Sequence, residues 1–156
     1  MYIASYAMTL TRESSAGYMT NWAARLFARE LERQLAPSGI TPAYVPVLFA
    51  LADGSALTQK ELARRAAVEQ PTMAATLNRM QRDAMIVRTP DPEDKRSALV
   101  GLTPLALGKI ETVERVVSAI NALALEQLAP DERRQFTALL GRVIEVLEAQ
   151  DGAPGG

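Results

Sequence analysis

The sequence predicts a mainly α-helical domain carrying one small β-hairpin, and three observations predict it. Apolar residues recur at i, i+3 and i+4 along most of the 156-residue chain, the spacing of a helix with one buried face. Aromatic residues make up only 5% of the chain, while Ala, Leu, Arg and Glu dominate, a composition that favours helix. One charged stretch with two prolines nearby, Asp91 to Ser97, separates two short apolar runs, as a hairpin loop would. With 48% hydrophobic residues the chain can bury a core without metal or disulfide staples, and a single domain over 1–156 is expected.

About six helices follow in order. Tyr18, Trp22 and Leu26 form one i to i+4 row and Met19, Ala23, Phe27, Leu31 and Leu35 an adjacent one, so 18–35 reads as a helix with a broad apolar stripe. Pro37, Ser38 and Gly39 stop it. Thr41 then offers an N-cap, with Pro42 at the first helical position, and opens a second helix through Ala52. Pro46 lies near its first turn and is expected to do no more than kink it. Thr58 caps a third helix, 59–66, with Glu61 three residues on to complete a capping box. After a break at 67–69, a fourth helix starts near Gln70 and Pro71 and runs to Asp83, with Met73, Leu77 and Met80 facing inward. Residues 85–88 and 98–102 read as the two hairpin strands. Thr103 and Pro104 launch a long helix to Leu128, and Pro130, followed by Asp131 and Glu132, starts a last one to Ala149. A glycine-rich tail from Asp151 is expected to fray.

Composition removes whole classes of chemistry. Cysteine and histidine are both absent, which excludes thiolate nucleophiles, imidazole bases, Cys/His zinc sites and disulfides. No paired carboxylates, glycine-rich phosphate loop or nucleophile elbow stands out, so neither an enzyme nor a bound cofactor is expected. The longest apolar run, 45–52, is far short of the roughly 20 residues of a membrane span. Residues 1–10 carry no basic segment of the secretory type, which points to the cytoplasm, and Met8 offers an alternative start. Net charge is −1 overall, but 57–99 carries +2 and the remainder −3, a mildly basic middle between acidic ends.

Helix, tight turn, helix and charged hairpin make a winged helix-turn-helix, over 57–103. In that arrangement the second helix enters the DNA major groove and presents its N-terminal residues to base edges. With Met73, Leu77 and Met80 inward, Thr72, Ala75, Thr76, Arg79 and Arg82 are expected to face the groove, together with Gln70 at the helix start. Arg79 is the preferred base reader. In the hairpin, Asp94 has the spacing to orient the guanidinium of Arg96 for a narrow minor groove, while Lys95 suits phosphate and Arg88 on the preceding strand is a further DNA-binding candidate. Read from the residues alone, a winged-helix protein-interaction adaptor, or a helical dimer without specific DNA binding, is the alternative. Salt dependence separates them, because phosphate neutralisation makes affinity fall steeply with salt.

Residues 57–104 closely resemble the DNA-binding core of the MarR family of bacterial transcriptional regulators. The wing signature is present as Asp91, Pro92, Asp94, Arg96 and Leu99, followed by Leu102-Thr103-Pro104, and the recognition helix opens with Gln70-Pro71-Thr72. The resemblance implies a homodimer held by the helices of 18–53 and 104–149, on a pseudo-palindromic operator with half-sites roughly 34 to 36 Å apart. It also implies repression, and release by a small aromatic or anionic effector. Trp22 with Arg25, and Tyr44, are the candidate effector residues, although a Trp on an apolar stripe also suits a core. Independently, the apolar residues of 113–128 and 136–147 exceed what two helices on so small a domain would bury.

Four positions, making three departures, differ from the family pattern. Glu69 replaces a serine N-cap, which suits the helix dipole but opposes phosphate. Ala74 and Ala75 stand where hydroxyl or basic side chains are common, which shifts specificity toward DNA shape. Ala84 replaces a glycine after the recognition helix, where a positive φ would cost alanine about 1 kcal/mol, so an altered turn is expected there.

Overall fold

The computed structural model describes residues 11–151. The expected start signals in 1–10, Met8 among them, and the tail beyond Asp151 lie outside that range. The elements are α1 (Ala16–Leu35), α2 (Val45–Leu51), β1 (Leu57–Thr58), α3 (Gln59–Ala66), α4 (Gln70–Arg82), β2 (Ile86–Pro90), β3 (Ala98–Leu102), α5 (Pro104–Leu107), α6 (Ile110–Ala124) and α7 (Pro130–Asp151). Among the described residues, six helices have seven residues or more and α5 is a single turn. Two compact units result, one up to Val117 and one from Ser118 onward.

In the first unit, capping chemistry starts the helices where the sequence places it. The hydroxyls of Thr58 and Thr103 accept the amides of Glu61 and Ala106 at 3.2 Å, each fixing a first turn. Only half of the capping box at Thr58 forms, because the Glu61 carboxylate turns outward to Arg64 and Arg65 on its own helix. Pro42 opens a 3-10 turn, Pro42–Tyr44, that leads into α2, and Pro46 sits in the first turn of α2. The core gathers Leu35 of α1, Tyr44, Val47, Leu48 and Leu51 around α2, Leu62 of α3, Met73, Leu77 and Met80 of α4, Ile86 and Val100 of the strands, and Val113 of α6.

The hairpin is part of a three-stranded antiparallel sheet in the order β1-β3-β2. Strand β2 pairs with β3 from Ile86 opposite Leu102 to Pro90 opposite Ala98. The two-residue β1, which no sequence pattern announces, pairs Leu57 with Val100 and Thr58 with Leu99. The expected single helix over 104–128 is interrupted: α5 ends at Leu107 and α6 begins at Ile110. At the break, the Lys109 ammonium donates to the carbonyl of Ser38 at 2.5 Å, tying the junction to the end of α1.

Helices α3 and α4 are each followed by an alanine in the left-handed region, Ala67 at φ 51° and Ala84 at φ 56°. After α3, the amides of Ala67 and Val68 reach the carbonyls of Arg64 and Ala63. After α4, those of Ala84 and Met85 reach Gln81 and Met80, at 3.1 and 2.8 Å. Each is a Schellman closure, which normally uses glycine. The turn at Ala84 is therefore retained rather than altered. Its carbonyl accepts the Thr103 hydroxyl at 2.7 Å, and Met85 is buried in the same core as Met80.

In the second unit, α7 carries Phe136, Leu139, Val143 and Leu147 along one stripe, and all four are exposed. No helix among the described residues is long and apolar enough to cross a membrane.

Candidate nucleic-acid interface

The recognition helix α4 divides along its length. Met73, Leu77 and Met80 are buried, and Gln70, Pro71, Thr72, Ala75, Asn78, Arg79, Gln81 and Arg82 are exposed. Thr72, Ala75, Arg79 and Arg82 follow one another at intervals of three, four and three residues, which places them on one stripe. Thr76, expected on that face, is instead only 4% exposed. It lies three residues after Met73 and four before Met80, within the inward row, so its hydroxyl is withdrawn from any groove. Ala74 is half-buried, which leaves Ala75 to present a methyl outward. Glu69 is the N-cap residue of α4, but its side chain makes no capping bond.

The wing tip is built by aspartates acting on backbone. Asp91 Oδ1 accepts the amide of Glu93 and Asp94 Oδ1 that of Arg96, both at 2.9 Å. The spacing of two residues between Asp94 and Arg96 thus orients the main chain of Arg96, not its guanidinium as expected; this is an Asx turn. Ser97 closes the tip by donating its amide to the Asp94 carbonyl. Lys95 and Arg96 are left exposed there.

Arg88 connects the two halves of the interface. It lies on the same strand face as the buried Ile86, and its guanidinium donates to the side-chain carbonyls of Gln81 and Asn78 on α4, the latter at 3.1 Å. A cleft of about 450 Å³ opens beside it, where Gln59 and Lys60 from the start of α3, Gln70 from the start of α4, and Asp91, Asp94 and Arg96 from the wing converge. The fold thus brings Gln70, Arg88 and Arg96 around one polar hollow, while Thr72, Ala75, Arg79 and Arg82 occupy the helix beside it. Sequence reasoning misses Lys60, Gln59, Asn78 and Gln81. Lys60 carries a usable signal, as a cation in the exposed first turn of the helix that precedes the recognition helix.

Of the candidate effector residues, Trp22 and Arg25 lie one turn apart on α1, while Tyr44 lies in the core. Trp22 receives the Arg12 guanidinium over its ring, 4.6 Å from the centroid, and meets Tyr18 edge-on at 6.5 Å. Arg25, the expected partner, is exposed on α1. Tyr44 is a core residue, and its hydroxyl donates to Asp83 Oδ2 at 2.6 Å. Burial first, and then that hydrogen bond, hold the Tyr44 hydroxyl above its ordinary pKa, so it stays protonated at neutral pH.

Helix, tight turn, exposed recognition helix and a charged wing define a winged helix-turn-helix protein of the DNA-binding, transcription-regulating class. Residues 38–97 match the model of the MarR family. The HTH-type transcriptional regulator YwoH of Bacillus subtilis is 30% identical over 78% of this chain and 88% of its own length. The HTH-type transcriptional repressor NicR of Pseudomonas putida is 26% identical over 73% of this chain and 72% of its own. A crystal structure of a mutant MarR from Escherichia coli complexed with operator DNA superposes with a TM-score of 0.75 at 26% identity, over 81% of this chain and 91% of that one. The chain belongs to the MarR family of transcriptional regulators, which is not an enzyme class.

Proposed function

We propose that the protein is a homodimeric repressor, working in the cytoplasm on a pseudo-palindromic operator and released by a small aromatic or anionic effector. The observation that carries this reading is the stripe of Thr72, Ala75, Arg79 and Arg82 on α4, flanked by a wing that leaves Lys95 and Arg96 in solvent. On this reading Arg79 makes a bidentate contact to guanine, Thr72 and Gln70 reach base edges or the adjoining backbone, and Ala75 packs on a thymine methyl. Arg82, Arg88 and Lys95 neutralise phosphate, and Arg96 enters the minor groove. The exposed apolar stripe of α7 supports the dimer, because a contiguous apolar face is rarely left to water. Trp22 and Arg25, both on α1, remain the proposed effector contacts, whereas Tyr44 is withdrawn from that role by its burial.

Fluorescence anisotropy with DNA from upstream of the protein's own gene, over several salt concentrations, tests the reading. Arg79→Ala should lower specific affinity by about 1 to 3 kcal/mol and relax the preference at one base pair. Lys95→Ala should weaken all sequences alike and reduce the salt slope by about 0.9 for each phosphate it no longer neutralises. Binding that ignores salt and survives Arg79→Ala and Arg96→Ala would reject the interface.

A further inference from the structure

Asp83 stands where helix electrostatics would not put it. It is the C-cap of α4, and a carboxylate there faces the negative end of the helix dipole. Asparagine or glycine would end the helix with less opposition. The side chain instead spans two other groups. Its Oδ2 accepts the hydroxyl of Tyr44, 39 residues upstream, at 2.6 Å, and its Oδ1 lies 3.8 Å from Nε of Arg82. Tyr44 is 2% exposed, in the 3-10 turn before α2, whereas the Arg82 side chain is 73% exposed one helical turn on from Arg79.

Core packing does not account for the Tyr44 hydroxyl either. Phenylalanine would fill the same volume without a buried polar atom to satisfy. The two puzzles have one answer. Tyr44 needs an acceptor and Asp83 needs a donor, and the bond between them reaches from the core of the first unit to the end of the recognition helix. The same end of α4 is held a second time by the Thr103 hydroxyl on the carbonyl of Ala84. Pinned at these two points, α4 has a fixed rotation about its axis, and Arg82 has a carboxylate to direct it.

We propose that Tyr44 and Asp83 form a positioning relay that sets the rotation of α4 and the direction of Arg82, so that discrimination between specific and random DNA depends on a buried hydroxyl that touches no DNA. The inference rests on the reading of Arg82 as a DNA contact. Neither relay residue is itself a contact.

The test uses the full-length protein and two duplexes, one selected by the wild type from a random pool and one a scramble of the same composition. Anisotropy is measured for Tyr44→Phe, Asp83→Ala, Asp83→Asn, Arg82→Ala and the Tyr44→Phe/Asp83→Ala double variant, with thermal unfolding of each protein recorded alongside. Tyr44→Phe and Asp83→Ala are each expected to weaken the selected duplex about tenfold while changing the scramble by less than twofold. The double variant should be no worse than either single one. Asp83→Asn, which keeps an oxygen for the Tyr44 hydroxyl, should recover affinity to within about threefold of wild type.

A lower melting temperature with an unchanged ratio between the two duplexes would overturn the relay and leave a purely structural hydrogen bond. So would effects that multiply in the double variant, since independent residues behave that way. Arg82→Ala without effect on either duplex would instead defeat the contact reading. That outcome is distinct from failure of the relay, in which Arg82→Ala weakens binding and Tyr44→Phe does not.

Discussion

Leu77 in α4 and Leu139 in α7 are the same side chain on two amphipathic helices, yet Leu77 is fully buried and Leu139 is 55% exposed. The contrast extends to the surroundings of each. The first unit folds α1 to α5, the sheet and the start of α6 around one core, and the apolar side of α4 is covered entirely from within. In the second unit the α7 stripe stays open, with Leu147 61% exposed. The same hydrophobic effect thus yields a closed core in one region and leaves an apolar stripe in water in the other, which under the proposed dimer is a demand for a partner. The apolar side of α4 is covered by residues of its own unit, whereas the α7 stripe is exposed along its length.

The largest effect is expected where that demand lies. Under the dimer reading, covering the exposed half of a leucine is worth about 1 kcal/mol, and each residue counts twice across a two-fold axis. Leu139→Lys with Leu147→Lys should therefore cost about 4 kcal/mol of association, roughly a thousandfold in the dimerisation constant. Sedimentation over a range of concentrations would show it. Leu77→Ala should cost about 3 kcal/mol of folding stability by leaving a cavity, with a melting temperature that falls at every protein concentration alike. The comparison breaks if the α7 variant still dimerises at wild-type concentrations.

A smaller effect of opposite sign is expected at the two left-handed alanines, both in the closed unit. Ala67→Gly and Ala84→Gly should each stabilise the fold by up to about 1 kcal/mol, less the extra chain entropy that glycine brings to the unfolded state. Chemical denaturation measures this directly. A loss of stability at either position would mean that the alanine methyl makes packing contacts worth more than the strain.

What is legible in the sequence follows from how far each signal reaches along the chain. Thr58 and Thr103 cap their own first turns, so their roles are written within four residues. The α4 core row and the wing loop are equally local. Thr76 is misplaced by its sequence because a threonine between two methionines suits either face, and only the packed neighbours decide. Strand β1 has two residues and exists only through pairing with β3, some 40 residues on. The α5–α6 break is hidden because Gly108 in an apolar helical pattern is a weak stop signal, and what marks the junction is Lys109 reaching Ser38. Asp94 illustrates a further limit. A carboxylate two residues before an arginine can bind its backbone or its side chain, and spacing alone does not distinguish them. Tyr44 and Asp83 leave no sequence signal of their partnership at all.

The smallest predicted effect concerns how acid reaches the closed unit. Glu61 accepts hydrogen bonds from the guanidinium groups of Arg64 and Arg65 one turn along α3, and these hold its carboxyl at about 2, below the ordinary 4.5. A carboxyl whose pKa is lower in the folded state contributes its full stabilisation above the unfolded value and loses it as pH falls. The advantage of wild type over Glu61→Gln in thermal unfolding should therefore be constant from neutral pH down to about 5, shrink between 4.5 and 2, and vanish below. Because the pair is solvent-exposed, added salt should shrink the same difference at neutral pH. A difference that persists undiminished from neutral pH down to pH 2 would mean that Glu61 stabilises α3 through packing of its side-chain stem rather than through this ion pair.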